Sequence, residues 1–362
     1  MMELKIPRVN NFDLIRLLAA FQVVYGHSFS HLRINNDVVS FFYSFLKYFP
    51  GVPIFFTVSG FLIFWAFDRN PNIKQYTLNR VLRLYPALYV CLFITIVLLV
   101  CNSTTNLLSH QNFYAWLIAQ LTIFQFYTPE ILRFWGVGTP NGSLWTIAVE
   151  VQYYILVPII FLLMRKAKKW VVLASLILAS IFANFTLNTM PENILQKLAF
   201  VSIVPYLFNF LIGSVFYIFW NKLGGLVQNN FYKWALAYVA YVLVFDVIFE
   251  FNLTSYHITN IFQPISMFIL SSLVLSFSFS MNTLSEKLLK HNDISYGLYI
   301  YHMLVVNTLL SMGISQSLLS FVLVFIFTTI LAYISWILVE KPSLKLKKKF
   351  KFGANYFAPS SK

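Results

Sequence analysis

Polar and apolar positions segregate along this chain into long blocks. Eleven apolar runs lie near 11–30, 50–67, 84–101, 113–128, 143–164, 170–187, 198–220, 233–250, 258–281, 294–312 and 317–339, with short polar stretches between them. A helix needs about 20 residues to cross a bilayer. All but one of the runs approach that length. The exception, 113–128, is short and carries Gln120, Thr122 and Gln125. The pattern predicts an all-α polytopic membrane protein. Its longest polar stretches, 68–80 and 129–142, read as loops, and no internal repeat or domain boundary interrupts it.

Charge decides how the runs are threaded. If 113–128 does not cross, 21 of the 26 Lys and Arg lie on the side of the N-terminus. If it does, only 8 remain inside and 17 are exported, the RKAKK cluster (165–169) and the lysine-rich tail among them. Cytoplasmic loops carry the excess of Lys and Arg, which selects the first arrangement. We therefore expect about ten transmembrane helices with N- and C-termini both cytoplasmic. The segment near 113–128 is then re-entrant or interfacial on the outer side. A membrane domain over 8–342 is followed by a basic cytoplasmic tail over 343–362, placed against anionic lipid.

Composition fits this class. The 362 residues are 59% hydrophobic and 10% charged, with 39 Phe and 21 Tyr, whereas soluble domains run near half apolar and a quarter charged. The net charge of +14 would suggest nucleic acid on a soluble protein. Here the cations stand between apolar runs, so topology accounts for them and no nucleic-acid partner is expected. Arg16 interrupts the first run and no small-x-small cleavage site follows, so it reads as an uncleaved span. Cys91 and Cys101 stand ten residues apart on one predicted helix, about 15 Å, too far for a disulfide. There is no P-loop, dinucleotide turn or metal-ligand spacing, and no metal is expected.

Four places could carry chemistry. Arg16 and His27 share one face of the first span, about 16 Å apart along its axis. Charges at such depth are costly and are functional candidates by default. Arg80 and Arg83 in TLNRVLRLYP lie three apart, at the inner mouth of the third span. Paired guanidiniums suit a phosphate, although plain interface anchoring also explains them. Asn141, Ser143, Trp145 and Glu150 lie in NGSLWTIAVEVQYY, with Glu150 about 10 Å into its span. Its depth matches that of His27, so we expect a His27–Glu150 pair that fixes the imidazole tautomer. Tyr296, Tyr299 and His302 fall at helical spacing, as packing or as substrate contacts.

Taken in order, FDLIRLLAAFQVVYGH, GVPIFFTVSGFLIF, NRVLRLYPALY, NGSLWTIAVEVQYYILVP, SYGLYIYH and VEKP resemble the acyltransferase-3 family over roughly 8–342. Its members are bacterial multi-spanning enzymes that O-acylate cell-envelope carbohydrate. The resemblance implies that Arg16 and His27 form the signature catalytic motif and that Glu150 is the family carboxylate after Leu-Trp. It also implies that Arg80 and Arg83 serve the acyl donor. Many members have a further basic residue where this chain has Asn79. Some carry a further soluble domain, so any second transfer step is expected from a separate protein.

The expected function is thus an O-acetyltransferase of the cytoplasmic (inner) membrane. It would move an acetyl group from cytoplasmic acetyl-CoA to a hydroxyl of a surface polysaccharide precursor (O-antigen of lipopolysaccharide, capsule or exopolysaccharide), free or lipid-linked. His27, Glu150 and Arg16 are the expected catalytic residues, with acetyl-CoA as the co-substrate held by Arg80 and Arg83. Asn141, Ser143, Trp145, Tyr296 and His302 are the expected substrate contacts. The rival reading is a proton-coupled transporter or flippase of a lipid-linked sugar or acyl group, since buried Arg, His and Glu also describe such carriers.

Overall fold

The apolar runs become helices. The computed structural model describes residues 5–347 apart from Tyr256 and Asn282, together with Phe350. Most of the expected basic tail, from residue 348 on, lies outside the described residues. In chain order come α1 (Phe12–His31), α2 (Asp37–Leu46), α3 (Gly51–Arg69), α4 (Ile73–Asn102), α5 (Gln111–Leu121), α6 (Trp145–Lys166), α7 (Lys169–Thr189) and α8 (Ile194–Phe200). They are followed by α9 (Leu207–Ile218), α10 (Trp220–Val227), α11 (Phe231–Val242), α12 (Phe262–Ser278), α13 (Leu284–Leu289), α14 (Ser295–Ser311), α15 (Leu318–Ser335) and α16 (Lys341–Leu346). Among the described residues there is no strand.

Helix starts are set by short polar side chains. Asn36, Asn72 and Asn193 accept the backbone N–H of Val39, Gln75 and Gln196, and Ser317 closes a capping box with Ser320. The Asn72 cap starts α4 at Ile73. Arg80 and Arg83 therefore lie within a continuous helix, in the turn just before the apolar run from residue 84. Pro86 and Pro158 sit inside α4 and α6, which membrane helices tolerate because neighbouring groups satisfy the freed carbonyls.

Six helical segments are long and apolar enough to cross a membrane, or seven if the bent pair Ile194–Phe200 and Val204–Ile218 forms one span. They turn large apolar side chains outward, among them Leu178 and Phe182 on α7 and Leu236 on α11. Hydrocarbon accepts such rows where water would not. α1 and α14 are not among the six. They occupy the interior, and α14 is buried along almost its whole length. A helix surrounded by other helices can carry polar groups that a lipid-facing one cannot. α5, with 11 residues, rises only about 16 Å.

Two small residues let α3 and α9 approach closely. A Cβ on Gly60 would lie 1.8 Å from the Phe210 carbonyl oxygen, and one on Gly213 would lie 2.1 Å from that of Thr57. Close backbone approach at small residues is the usual way helices associate in lipid, where no hydrophobic force drives them together. The Ser214 hydroxyl donates to the Gly60 carbonyl at 3.0 Å, and Phe56 stacks on Phe210 with centroids 4.3 Å apart. This pair anchors α3, which in turn carries Ser59 to the site.

Gly60→Ala and Gly213→Ala should each destabilise the protein by about 1–3 kcal/mol, the cost of overpacking against backbone. Gly225→Ala, with no atom near its added methyl group, should not. Thermal unfolding of purified protein in detergent reads the difference. An unchanged melting temperature in Gly60→Ala would mean that the two helices separate here at no cost.

Candidate active site

A cavity of about 400 Å³ opens between α1, α3, α4, α6 and α14, and Leu344 of α16 and the adjoining Lys347 also line it. Cations from three elements converge on it. Arg16 comes from α1, Arg80 and Arg83 from α4, and Lys347 follows α16. Arg83 forms an ion pair with Asp293, whose side chain is 8% exposed, and Arg16 lies 3.8 Å from the same carboxylate oxygen. Asp293 also accepts from the backbone N–H of Ser295 at 3.2 Å. Burial pushes the Asp293 carboxyl up, but the guanidiniums of Arg83 and Arg16 outweigh it and hold the group below its ordinary value.

Arg80 is different. Its guanidinium lies over the Tyr154 ring, 5.7 Å from the centroid, and its Nε is buried with no hydrogen-bond partner. Among the described residues it has no ion pair. Burial, and then the charges of Arg80, Arg83 and Arg16, push the Lys347 amine down to about 7. One end of the cavity thus concentrates positive charge that Asp293, shared by Arg83 and Arg16, and the more exposed Asp13, 3.9 Å from Arg16, only partly answer.

Deeper in, Glu150 accepts from Ser59 Oγ at 2.9 Å and from Tyr154 Oη at 2.6 Å. The expected pairing of Glu150 with His27 is not present. Equal depth along two helices does not fix azimuth, and α6 turns Glu150 toward α3 and α4. Farther along, Tyr299 Oη meets Thr146 Oγ1 at 2.6 Å, and both residues line the same cavity.

His27 finds its partner on α14. Its Nδ1 lies 2.8 Å from Nε2 of His302, a fully buried ring. His302 Nδ1 lies 2.7 Å from the Tyr299 carbonyl. A carbonyl only accepts, so His302 Nδ1 carries a hydrogen and its Nε2 is left to accept. His27 Nδ1 must then be the donor. In neutral His27 the lone pair sits on Nε2, where a base needs it. Two side chains and one backbone carbonyl fix this tautomer with no carboxylate.

The remaining expected contacts are spread out. Tyr296 lines the cavity, but its hydroxyl donates to the Leu84 carbonyl at 3.0 Å. Asn141 donates to the Ile300 carbonyl at 2.8 Å, and Ser143 donates to Asn141 at 2.7 Å. Both pin the turn before α6 onto α14. Neither lines the cavity, and neither is free to stabilise an oxyanion there. Trp145 packs on Tyr206, with centroids 5.2 Å apart. Asp293, Ser59, Tyr154 and Lys347 were missed. Asp293 reads in sequence as an ordinary polar residue before a helix, because nothing local shows that arginines from α1 and α4 close on it. Among the described residues no His, Cys, Asp and Glu cluster could hold a metal.

A profile of the acyltransferase-3 family, described as an acyltransferase domain, matches residues 9–337. Nodulation protein 10 of Rhizobium leguminosarum bv. viciae is 29% identical over 353 residues, covering 93% of this chain and 94% of its own. An O-acetyl transferase of Shigella phage Sf6 is 26% identical over 343 residues, covering 92% and 95%. The putative peptidoglycan O-acetyltransferase YrhL of Bacillus subtilis (strain 168) is 26% identical over 321 residues, covering 81% of this chain and 50% of that protein. No solved structure matches significantly.

Asp293→Ala leaves Arg83 buried without its partner and should destabilise the protein by about 3–5 kcal/mol. Asp293→Ala with Arg83→Met should recover part of that loss. Because the native carboxyl lies below its ordinary 3.8, its contribution is complete above about pH 4 and fades as pH falls through the lowered value. Thermal melts of the two variants at neutral pH check this; equal stability of Asp293→Ala and the wild type would refute the role of the pair.

Proposed function

The chain belongs to the acyltransferase-3 family of membrane O-acyltransferases, and from that premise we propose that it moves an acetyl group from cytoplasmic acetyl-CoA to a hydroxyl of an envelope polysaccharide or its lipid-linked precursor. The observation that carries the donor assignment is Arg80, a half-buried cation without an anion of its own, facing a cavity that Arg16, Arg83 and Lys347 also line. Guanidiniums bind phosphate oxygens in pairs. The phosphates of coenzyme A fit that end, and the thin pantetheine arm runs along the cavity toward Thr146 and Tyr299. The names of relatives, an O-acetyl transferase and a peptidoglycan O-acetyltransferase, support acetyl as the group and a carbohydrate as the acceptor.

In this reading His27 Nε2 takes the proton of the acceptor hydroxyl as its oxygen attacks the thioester carbonyl. The C–S bond breaks, and the leaving thiolate takes that proton from the imidazolium, giving free coenzyme A and the O-acetyl ester. His302 holds the tautomer. Glu150, bonded to Ser59 and Tyr154, shapes the donor path, and Arg16 balances Asp293. The carrier reading is set aside, since family membership already makes the chain an enzyme.

We also propose ten spanning helices with both termini cytoplasmic, in a multi-pass protein of the inner membrane. α5 would lie within the outer half of the bilayer. The short rise of α5 and the strong cationic bias of one side support this threading.

His27→Ala should lower glycan acetylation by 10²–10⁴-fold per unit of inserted protein. His302→Gln keeps an acceptor opposite His27 Nδ1 and should retain most activity. His302→Lys offers only donors, forces the other tautomer, and should fall near His27→Ala. Measured O-acetyl content decides; full activity in His302→Lys would remove the tautomer from the mechanism.

A second expectation follows from Lys347, whose amine titrates near 7. A phosphate beside it favours the charged form, so donor binding should take up a proton around pH 7–8 and weaken as pH rises through that range. Lys347→Arg should abolish this dependence. Calorimetric titration with coenzyme A in two buffers of different ionisation enthalpy measures the proton count, and an equal enthalpy in both buffers would exclude Lys347 from the donor site.

A further inference from the structure

A second polar cavity lies at the other end of α1. It holds about 450 Å³, and its wall includes His31, Arg33, Val137, Leu310, Ser315 and Gln316. It shares no wall residue with the donor cavity. Arg16 and His31 are fifteen residues apart on α1, so the two cavities enter the protein about 22 Å apart along that helix. His27 stands between them. Its ring lies 5.4 Å from that of His31 on one side, and it bonds His302 on the other.

The rim of this basin is held in place. The Gln316 backbone N–H donates to the Leu32 carbonyl at 2.9 Å, tying the loop after α14 to the end of α1. On α14, Asn307 accepts from the Val137 N–H at 3.0 Å and donates to the Thr139 and Pro140 carbonyls at 2.9 and 3.0 Å. The helix that carries His302 therefore also clamps the opposite wall. Arg33 and Gln316 both sit in the left-handed region, with φ of 50° and 60°, as does Gly136 at 59°. Non-glycine residues held there cost free energy and persist where the surroundings over-determine them.

Against this fixed backbone the side chains of Arg33 and Gln316 are exposed and those of His31 and Ser315 half-buried. Those of His31, Arg33, Ser315 and Gln316 make no hydrogen bond or ion pair among the described residues. Donors and acceptors are interleaved around a space large enough for a sugar ring, next to apolar Val137 and Leu310. Saccharide hydroxyls, each both donor and acceptor, match such a wall.

We propose that this basin binds the acceptor saccharide, with the reacting hydroxyl directed past His31 to His27. The inference rests on His27 being the base. Donor and acceptor then approach one imidazole from opposite ends of α1. The acetyl group passes between them without either substrate crossing the protein, and the proton and thiolate are handled as above. Arg33 and Gln316 are assigned as binding residues for the sugar.

The test uses the full-length protein in host membranes and, purified, in detergent. Arg33→Gln and, separately, Leu310→Trp, which fills the basin, should each lower the O-acetyl content of the host glycan at least tenfold. Binding of coenzyme A by the same purified variants should stay at the wild-type level, which also reports that they fold. Arg80→Ala, by contrast, should lose coenzyme A binding. Wild-type acetylation in both basin variants overturns the acceptor assignment. Loss of coenzyme A binding in them overturns the separation of the two cavities. If His27→Ala alone leaves acetylation intact, it is the base assignment that fails, whatever the basin variants do.

Discussion

An ionisable side chain inside a lipid bilayer has no solvent to turn to, so it must find its partner within the protein. The packing of α1 against α14 answers that constraint twice. At one end Asp293, just before α14, takes Arg16 from α1 and Arg83 from α4. About two and a half turns later His302 takes His27. Were α14 to shift by one residue, both contacts would be lost together, since a residue step rotates the helix by about 100°. This double registration holds the polar interior of the bundle in place.

The arrangement divides the helices by task. Those on the outside, such as α7 and α11, are apolar on the faces they show to lipid and carry no group assigned to chemistry. α1 and α14 are poorer candidates for independent insertion, and they hold the histidines because other helices shield them. The tight α3–α9 contact serves the same end. It fixes α3 so that Ser59 meets Glu150, and that carboxylate is satisfied by two hydroxyls without a cation. Glu150 thereby shapes the donor cavity and leaves the orientation of His27 to His302.

Much of this was legible in the chain itself. The apolar runs announced the helices, since hydrocarbon thickness imposes a length that composition cannot hide. Arg16, His27 and Glu150 stood out because charge within an apolar run is expensive. Arg80 and Arg83 stood out as paired guanidiniums at the mouth of a span, and His302 by its helical spacing with Tyr296 and Tyr299. Their order along the chain matched the family that the profile then identified. Asn141 and Ser143 also stood out, but for a different reason: a turn that docks onto a buried helix needs polar side chains as much as a substrate does.

Sequence alone determined the class, the helices and the list of costly residues, because each of these depends on composition and local spacing. It could not say which costly residue meets which. Depth along a span follows from counting at 1.5 Å per residue, and on that measure His27 and Glu150 looked like partners. Azimuth and helix neighbours are properties of packing. Only the tertiary structure turned α6 toward Ser59, brought Asp293 between two arginines, and set His302 against His27. A pair written 275 residues apart leaves no local trace.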